Sequence, residues 1–410
     1  MTEIEDMKDK KILVTGASIA GPTLAYWLNR YGFNVTVAER APELRLGGQN
    51  IDVKGPAAEI ARKMGIEEAI RAQNTTEVGL RFVNTRNKTV AEFPVESSLS
   101  MTQELEILRG DLVRILYDLT KVDVEYRFGE HITQLEQTNA NVNVTFSSSR
   151  SELFDLVIAA EGIGSKTREL AFAKRPEFKF LGLYTAYLTI TRSATDSSWA
   201  RWCNAENGIV FLLRPDNHGE TRASITFTAT EDEYKGLSLE EQRSALIGRI
   251  RGSGWESERL IMEINKTSDL YFDRISQVKA PEWSEGRVAI VGDAAYCATP
   301  IAGKGTDLAM TGAYILAGEL YTASTYQKAF EVYEQKMRPY VEKCQQLPPG
   351  IPGLVYPRTK IGVGLLNTVV SAFGSRPAKW VFSFFGKDKK APKQEITLPD
   401  YLNTTDRSAN

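Results

Sequence analysis

The chain has 410 residues, which is enough for two or three lobes, since domains typically hold about 150 residues. Its 50 basic and 52 acidic residues nearly cancel, so no global field favours nucleic acid or a membrane surface. The first residues are charged and lack the apolar core of a signal peptide, and three cysteines are too few for a disulfide framework or a metal site. The chain has only two histidines, His131 and His218, and they form neither a zinc ligand set nor a catalytic triad pattern. Zinc chemistry and histidine-dependent hydrolysis are therefore poor hypotheses. The default expectation is a cytoplasmic protein without a metal site.

A glycine-rich turn near the start lies between a predicted strand and a predicted helix. Lys11 to Thr15 is a short apolar run typical of a buried parallel strand, and apolar residues recur at helical spacing from Gly21 to Tyr31. In such a turn Gly16 permits a tight reversal, Gly21 permits close packing of helix on strand, and the N–H groups at the helix start attract a pyrophosphate. The turn predicts a dinucleotide site formed by Gly16, Ser18, Ala20 and Gly21.

An acidic residue follows at the end of the next predicted strand. Val35 to Ala38 is apolar and leads to Glu39, close to the separation of about 20 residues at which a carboxylate accepts hydrogen bonds from the ribose. This residue favours an unphosphorylated ribose, as in FAD or NAD. Ser18 departs from the pattern, because the middle position is usually glycine, but its side chain is small and its hydroxyl could donate to a phosphate.

A second segment, far along the chain, selects between these dinucleotides. Arg287 to Val291 indicates another buried strand, and it delivers Asp293 at its carboxyl end, where open α/β sheets place their ligands. A carboxylate there can bind ribityl or ribose hydroxyls. A predicted helix from Asp307 follows, and its N-terminus can face the isoalloxazine or the pyrophosphate of FAD. The candidate FAD residues of this segment are Asp293, Pro300, Gly303, Gly305 and Thr306.

The two segments together resemble class A flavoprotein monooxygenases of the p-hydroxybenzoate hydroxylase type, and most closely the tetracycline destructases and fungal secondary-metabolite hydroxylases. The resemblance covers the chain to about Tyr340. It implies an α/β fold, in which a Rossmann-like FAD-binding domain holds an inserted antiparallel β-sheet substrate domain and is followed by a C-terminal helical segment. It also implies that NADPH or NADH reduces FAD, and that a C4a-hydroperoxyflavin formed with O2 hydroxylates an aromatic or enolic carbon.

The resemblance implies roles for five further positions. Arg40 completes a Glu-Arg pair with Glu39, and in the loop that follows Asp52 approaches the flavin while Arg45 approaches NAD(P)H. Arg109 reaches FAD, and its place just before an amphipathic helix, where a cation is unfavourable, supports an anionic partner. Glu161 stands where the family has the aspartate of an Asp-Gly motif that serves FAD and the nicotinamide donor.

Two more positions depart from the family. Tyr296 replaces a common histidine, and Asp307 replaces an asparagine. A carboxylate at the second position could repel electron density on the reduced flavin.

The interval between Gly162 and Gly292 is rich in β-branched and aromatic residues, which predicts the antiparallel sheet. The segment around His218 indicates a hairpin turn. The sheet would cover the flavin and form the substrate pocket. Candidate pocket residues are Phe211, Phe227 and Arg214, of which Arg214 could hold a phenolate or enolate. Because alternate residues of a strand share a face, core packing is the favoured role for the two phenylalanines.

After Tyr340 the apolar stretch Ile361 to Phe373 predicts a helix too short to span a bilayer. The resemblance implies a lid, and the alternative is an interfacial membrane contact through Trp380, Phe382, Phe384, Phe385 and the lysines of 387–393. We predict that residues 1–175 and 276–340 form a discontinuous FAD-binding domain and that residues 176–275 form the substrate-binding domain. Residues 341–395 are predicted to form the helical lid, and residues 396–410 a disordered tail.

The predicted function is hydroxylation of a polycyclic phenolic or polyketide-like small molecule, including inactivation of a tetracycline-type scaffold, by a monomer without a nucleic-acid partner. One alternative is a flavin oxidoreductase that does not insert oxygen. Another is a binding module with a flavoprotein fold, such as a prenyl-lipid escort, against which the complete set Glu39, Arg109 and Asp293 argues.

Overall fold

The structure, a computed structural model, describes residues 9–97, 105–347, 350–374 and 396–402. In chain order its strands are β1 (Lys11–Thr15), β2 (Asn34–Glu39), β3 (Asn50–Asp52), β4 (Gly79–Val83), β5 (Thr89–Pro94), β6 (Glu106–Leu108), β7 (Glu125–Phe128), β8 (Ile132–Gln137), β9 (Val142–Phe146), β10 (Ser151–Phe154), β11 (Leu156–Ala159), β12 (Glu177–Ile190), β13 (Trp199–Ala205), β14 (Ile209–Pro215), β15 (Thr221–Thr228), β16 (Tyr271–Lys279), β17 (Ser284–Glu285) and β18 (Val288–Ile290).

The helices, in the same order, are α1 (Ala20–Arg30), α2 (Pro56–Lys63), α3 (Glu67–Ala72), α4 (Arg109–Thr120), α5 (Lys166–Ala171), α6 (Leu239–Ile250), α7 (Ser257–Lys266), α8 (Asp293–Tyr296), α9 (Gly305–Thr322), α10 (Tyr326–Gln345) and α11 (Lys360–Gly374). A short 3₁₀ turn, Pro300–Ala302, lies between α8 and α9.

The first sheet has the strand order β17-β18-β11-β1-β2-β7, with β1 parallel to both β2 and β11 and β11 parallel to β18. Its central strands are apolar along their length because helices α1 and α9 and the separate β8–β10 sheet belong to the same buried core. This parallel sheet confirms the predicted Rossmann-like fold. Since β1 and β18 flank β11, the glycine turn after β1 and the segment of Asp293 after β18 lie at the same edge of the sheet, at the carboxyl ends of its parallel strands.

The second sheet has the order β16-β12-β15-β14-β13-β4-β5 and is antiparallel except where β13 pairs with β4. It confirms the predicted antiparallel sheet, and β14 and β15 form the predicted hairpin. At the tip of that hairpin His218 Nε2 lies 3.0 Å from an Asp111 carboxylate oxygen on α4. Helices α6 and α7 cover one face, and Leu347, Val355 and Tyr356 pack against part of the other face.

Residues 79–94 differ from the predicted division of the chain. They were assigned to the FAD-binding region, yet β4 and β5 form the edge of the second sheet. The parallel pairing of β4 with β13 joins segments more than a hundred residues apart, and nothing in their local pattern specifies such a partner.

The C-terminal part contacts the second sheet and helix α9. Helix α11 packs on β5 and β13 of the second sheet, and no helix among the described residues is long and apolar enough to cross a membrane. Residues 396–402 were expected to be disordered but are packed, with Leu398 and Tyr401 buried. The ring of Tyr401 lies against Gly318 of α9, where any side chain would collide with it. Trp380, Phe382, Phe384, Phe385 and the 387–393 lysines lie outside the described residues.

Candidate flavin and substrate site

The predicted pyrophosphate turn has the geometry that its glycines require. Gly16 has φ 101°, and a Cβ there would lie 2.5 Å from the carbonyl oxygen of Ala160. A Cβ on Gly21 would lie 1.9 Å from the carbonyl oxygen of Gly16. No side chain caps the N-terminus of α1, and the buried hydroxyl of Thr15 has no hydrogen-bond partner in the part of the chain described. The turn therefore offers unsatisfied donors to an anionic group.

Glu39 lies beside this turn, at the end of β2. It is buried, and its carboxylate accepts hydrogen bonds from the backbone N–H of Ala17 at 2.8 Å and of Ala41 at 2.9 Å. Arg45 Nε lies 3.8 Å from the same carboxylate, so this predicted NAD(P)H residue sits at the ribose end of the site. Arg40, by contrast, is exposed.

Arg109 connects the turn with the loop that contains Arg45. Its Nη1 donates to Ser18 Oγ at 3.2 Å, and its Nη2 donates to the carbonyl oxygens of Arg45, at 2.7 Å, and Gly47. Burial, followed by the charge of Arg45, lowers the pKa of the Arg109 guanidinium. A half-buried cation is thus held mainly by neutral oxygens beside the glycine turn, which fits an anionic pyrophosphate.

The second segment approaches from β18. Asp293 begins α8, where burial raises the pKa of its carboxyl although a hydrogen bond from Cys297 opposes that shift. Thr299 has φ 87°, rare for a β-branched residue, and its buried hydroxyl is unpartnered among the residues described. Gly303 has φ 58°, and α9 begins at Gly305 with Thr306 buried. Pro300 starts the 3₁₀ turn between these residues.

Asp307 is engaged in contacts within the protein. Its buried carboxylate accepts a hydrogen bond from Ala57 N at 3.2 Å, at the start of α2, and another from the hydroxyl of Tyr340 on α10. Lys304 Nζ lies 3.3 Å away and balances its charge. The carboxylate therefore joins three helices, α2, α9 and α10, and its effect on the flavin stays a prediction.

Glu161 and Tyr296, the other two departures, are also engaged within the protein. The Glu161 carboxylate accepts from Ser165 Oγ at 2.6 Å and from the N–H and hydroxyl of Thr167, so it caps the start of α5. The buried Tyr296 hydroxyl hydrogen-bonds with that of Tyr333 at 2.9 Å. The role of Glu161 toward NAD(P)H stays a prediction.

Two of the three predicted pocket residues lie on the face of the second sheet opposite Arg214. Phe211 and Phe227 are completely buried in the cluster that α6 and α7 form on the outer face of the second sheet. Their assignment to the substrate is therefore corrected to core packing. The reason is strand alternation: Arg214 differs from Phe211 by an odd number of residues and lies on the opposite face.

Arg214 is held rigidly on the inner face. Its Nε donates to Glu77 at 2.8 Å, and its Nη2 donates to Glu77 at 3.0 Å and to Glu106. Burial lowers the pKa of Arg214, but the charges of Glu106 and Glu77 more than offset this and raise it. Its Nη1 makes no hydrogen bond to the residues that the structure describes, and the side chain is 14% exposed. One edge of the guanidinium is thus available to a ligand.

Asp52 lies beside this pair. It is the direct partner of Glu106 in the β3–β6 ladder, and Lys54 Nζ donates to it at 2.9 Å. Desolvation by burial raises the pKa of Asp52, with Lys54 opposing. Sequence reasoning missed Glu77 and Glu106, although a glutamate opening the apolar run before Arg109 is a possible signal of a buried ion pair.

The fold combines a parallel sheet, a glycine turn, a buried acid at the end of β2 and a second loop after β18. Together with the added antiparallel sheet, this combination is that of a dinucleotide-binding flavoprotein. The family model for the FAD binding domain matches residues 9–347. Flavin-dependent monooxygenase eupH of a Phoma species is 36% identical over 97% of this chain and 99% of its own. A flavin-dependent monooxygenase of Legionella longbeachae is 40% identical over 83% of this chain and 88% of its own. The chain belongs to the FAD-dependent monooxygenase family.

Solved structures agree with this assignment. The crystal structure of tetracycline destructase Tet(51) superposes with a TM-score of 0.78 at 34% identity, covering 96% of this chain and 99% of that one. Tet(55) gives the same TM-score of 0.78 at 32% identity. The cofactor is FAD, and the unsatisfied groups at Thr15, the α1 N-terminus and Thr299 fit a ligand of that kind.

Proposed function

We propose that the protein uses NAD(P)H and O2 to hydroxylate an electron-rich aromatic or enolic carbon of a polycyclic phenolic or polyketide-like compound, including a tetracycline-type scaffold. The observation that carries this proposal is Arg214, a buried cation with one unused edge on the sheet face that turns toward the flavin segments. The similarity to tetracycline destructases and to fungal flavin-dependent monooxygenases supports the same substrate class.

The side chains around the cofactor have separable tasks. When bound, FAD supplies electron uptake from the nicotinamide and transfer of one oxygen atom of O2 to the substrate. Gly16, Ser18, Ala20, Gly21 and Arg109 bind the pyrophosphate in this proposal, Glu39 and Arg40 the ribose, and Asp52, Asp293, Pro300, Gly303, Gly305 and Thr306 the flavin end. Arg45 and Glu161 would serve NAD(P)H.

Arg214 stabilises an ionised oxygen of the substrate. A phenolate or enolate is more electron-rich than its neutral form, so a cation that favours ionisation also favours attack on an electrophilic oxygen. Glu77 and Glu106 fix the guanidinium, since two carboxylates occupy its Nε and Nη2. A side chain held in this way loses little entropy when a ligand binds.

Location, assembly and the C-terminal contact belong to the same proposal. We expect a cytoplasmic monomer in which α11 acts as a lid beside the substrate. Ile361 and Leu365 of α11 are 85% and 65% exposed. Apolar residues so placed support either a lid that closes over an apolar substrate or a peripheral membrane contact.

The test is a spectrum followed by an isotope experiment. The purified protein should show oxidised-flavin absorbance, and NADPH or NADH consumption under air should accelerate with one member of a panel of phenolic polycycles and tetracyclines. Under ¹⁸O₂ that product should carry one labelled oxygen. Flavin turnover without label would instead indicate an oxidoreductase, and a colourless protein that does not bind added FAD would indicate a binding module.

A further inference from the structure

The inner face of the second sheet, opposite α6 and α7, contains a row of directly paired residues. Each member is the cross-strand partner of the next, so the row runs perpendicular to the strands. Its members, from β4 across to β16, are Phe82, Trp202, Leu212, Ser224, Tyr187 and Tyr271.

This central row is more exposed than the rows beside it. All its members are partly exposed, and Tyr271 reaches 49%. On one side the row of Val210 and Thr226 is buried under Tyr356. On the other side lie Arg214 and Arg222, of which the second is buried and donates to Asp216 at 2.8 Å. The central row is therefore the open floor of the inner face.

The floor faces the flavin segments. Gln49, in the loop of Arg45, donates to the carbonyl oxygen of Ala223 on β15 at 3.3 Å. On β16, the N–H of Val278 donates to the carbonyl oxygen of Cys297, in the segment that follows Asp293, at 3.1 Å. Both loops that approach FAD thus contact strands that carry the row.

The shape of the row is uneven. Trp202 and Phe82 stand at one end, with ring centroids 5.8 Å apart, and Tyr187 and Tyr271 stack at the other at 5.7 Å. Between these ends lies Ser224, the smallest side chain in the row. Trp202 and Tyr187 are three strand spacings apart, which is roughly 14 Å. A single aromatic ring cannot span such a gap, whereas several fused rings can.

We propose that this row is the substrate platform, that Ser224 is the gap over which a fused polycyclic ring system lies, and that Tyr187 and Tyr271 contact the end of that system remote from Arg214. The proposal rests on the proposed function and adds the residues that select for ligand size. Arg214 lies two residues along β14 from Leu212 on the same face, so it borders the gap and can bind an acidic oxygen on the edge of the rings.

Filling the gap tests the proposal. Dissociation constants of the FAD-loaded protein are measured for tetracycline, the three-ring quinone emodin and the single-ring p-hydroxybenzoate. Ser224→Leu should weaken binding of the polycyclic probe by roughly tenfold, because the larger side chain would occupy the space that the ring system needs. The matched change Ser224→Ala removes only a hydroxyl and should leave the constant within about twofold.

Tyr271 provides a second variant at an exposed position, where folding is not at risk. Tyr271→Ala should weaken binding of the polycyclic probe several-fold, whereas Tyr271→Phe, which keeps the ring, should bind the probe as the unchanged protein does. Neither variant should change binding of p-hydroxybenzoate. Exposed Leu239→Ala, on the outer helix α6, serves as a control.

The outcomes separate the two proposals. A protein without FAD absorbance or NAD(P)H-dependent oxygen uptake contradicts the proposed function. A flavin-loaded enzyme that binds p-hydroxybenzoate but neither polycycle contradicts both proposals. One that binds and hydroxylates a polycycle, but whose polycycle affinity is indifferent to Ser224→Leu, overturns the platform alone. Flavin content and melting temperature of each variant show whether the fold is intact.

Discussion

At the scale of single residues, the half-buried carboxylate of Asp293 is the sharpest test of the cofactor site. It lies at the start of α8, at the carboxyl edge of the first sheet. A hydrogen bond to a charged group contributes about 1.5–3 kcal/mol, so Asp293→Ala should weaken FAD binding by roughly ten- to a hundredfold in a folded chain. Fluorescence titration with FAD measures this. Exposed Asp273→Ala on β16 is the control, and unchanged affinity would refute this placement of the second segment.

Another carboxylate, Glu152, supports the fold rather than the site. Burial would raise its pKa, but Lys11 and Arg127 outweigh this and lower it to about 2 from 4.5. The lowered pKa means that its stabilisation is present above pH 4.5 and is lost as the pH falls toward 2. After allowance for solvent screening we expect Glu152→Gln to cost about 1 kcal/mol at neutral pH. Urea unfolding across pH 2–7 should show that the difference in unfolding free energy between the unchanged protein and Glu152→Gln shrinks in acid. A difference that stays constant with pH would contradict this role of Glu152.

At the scale of elements, the start of α4 depends on contact with the loop before β3. A Cβ on Gly110 would lie 1.7 Å from the carbonyl oxygen of Leu46. Gly110→Ala should displace this loop and remove the hydrogen bonds that Arg109 makes to it. The FAD affinity should therefore fall at least several-fold. Gly248 of α6 has open space around its Cβ, so Gly248→Ala should leave FAD affinity unchanged. Equal FAD affinity in the two variants would show that the loop position does not matter.

Helices α8 and α9 meet at another glycine. A Cβ on Gly312 would lie 1.9 Å from the hydroxyl oxygen of Tyr296. We expect Gly312→Ala to lower the unfolding free energy by about 1–3 kcal/mol through overpacking. Tyr296→Phe removes the clashing oxygen, so the double variant should recover part of that loss, and chemical denaturation of all four proteins measures the coupling. Strict additivity would argue against the contact.

At the scale of the whole molecule, the chain returns to the FAD-binding fold after α11. Tyr314 donates to the carbonyl oxygen of Pro399 at 2.6 Å, and the buried hydroxyl of Tyr401 donates to Glu319. Tyr401→Ala should lower the free energy of unfolding by about 3 kcal/mol, as other large-to-small changes at buried aromatic positions do. Thermal unfolding tests this against exposed Leu402→Ala; equal melting temperatures would show that the segment adds no stability.

The sequence alone determined the parts of this protein that are local. Gly16, Gly21, Glu39 and Asp293 could be placed because a tight turn, a helix start and a strand end each depend on a few adjacent residues. The antiparallel sheet and its hairpin were predictable for the same reason, from residue type and turn chemistry over short runs.

Only the tertiary structure decided how distant segments combine. It placed Phe211 and Phe227 on the outer face, joined β4 to β13, and surrounded Arg214 with Glu77 and Glu106. A strand's alternation shows which residues share a face, but which face meets the cofactor depends on helices elsewhere in the chain. The sequence thus determined the cofactor, because the motifs that bind it are local, whereas the substrate platform exists only once seven strands have paired.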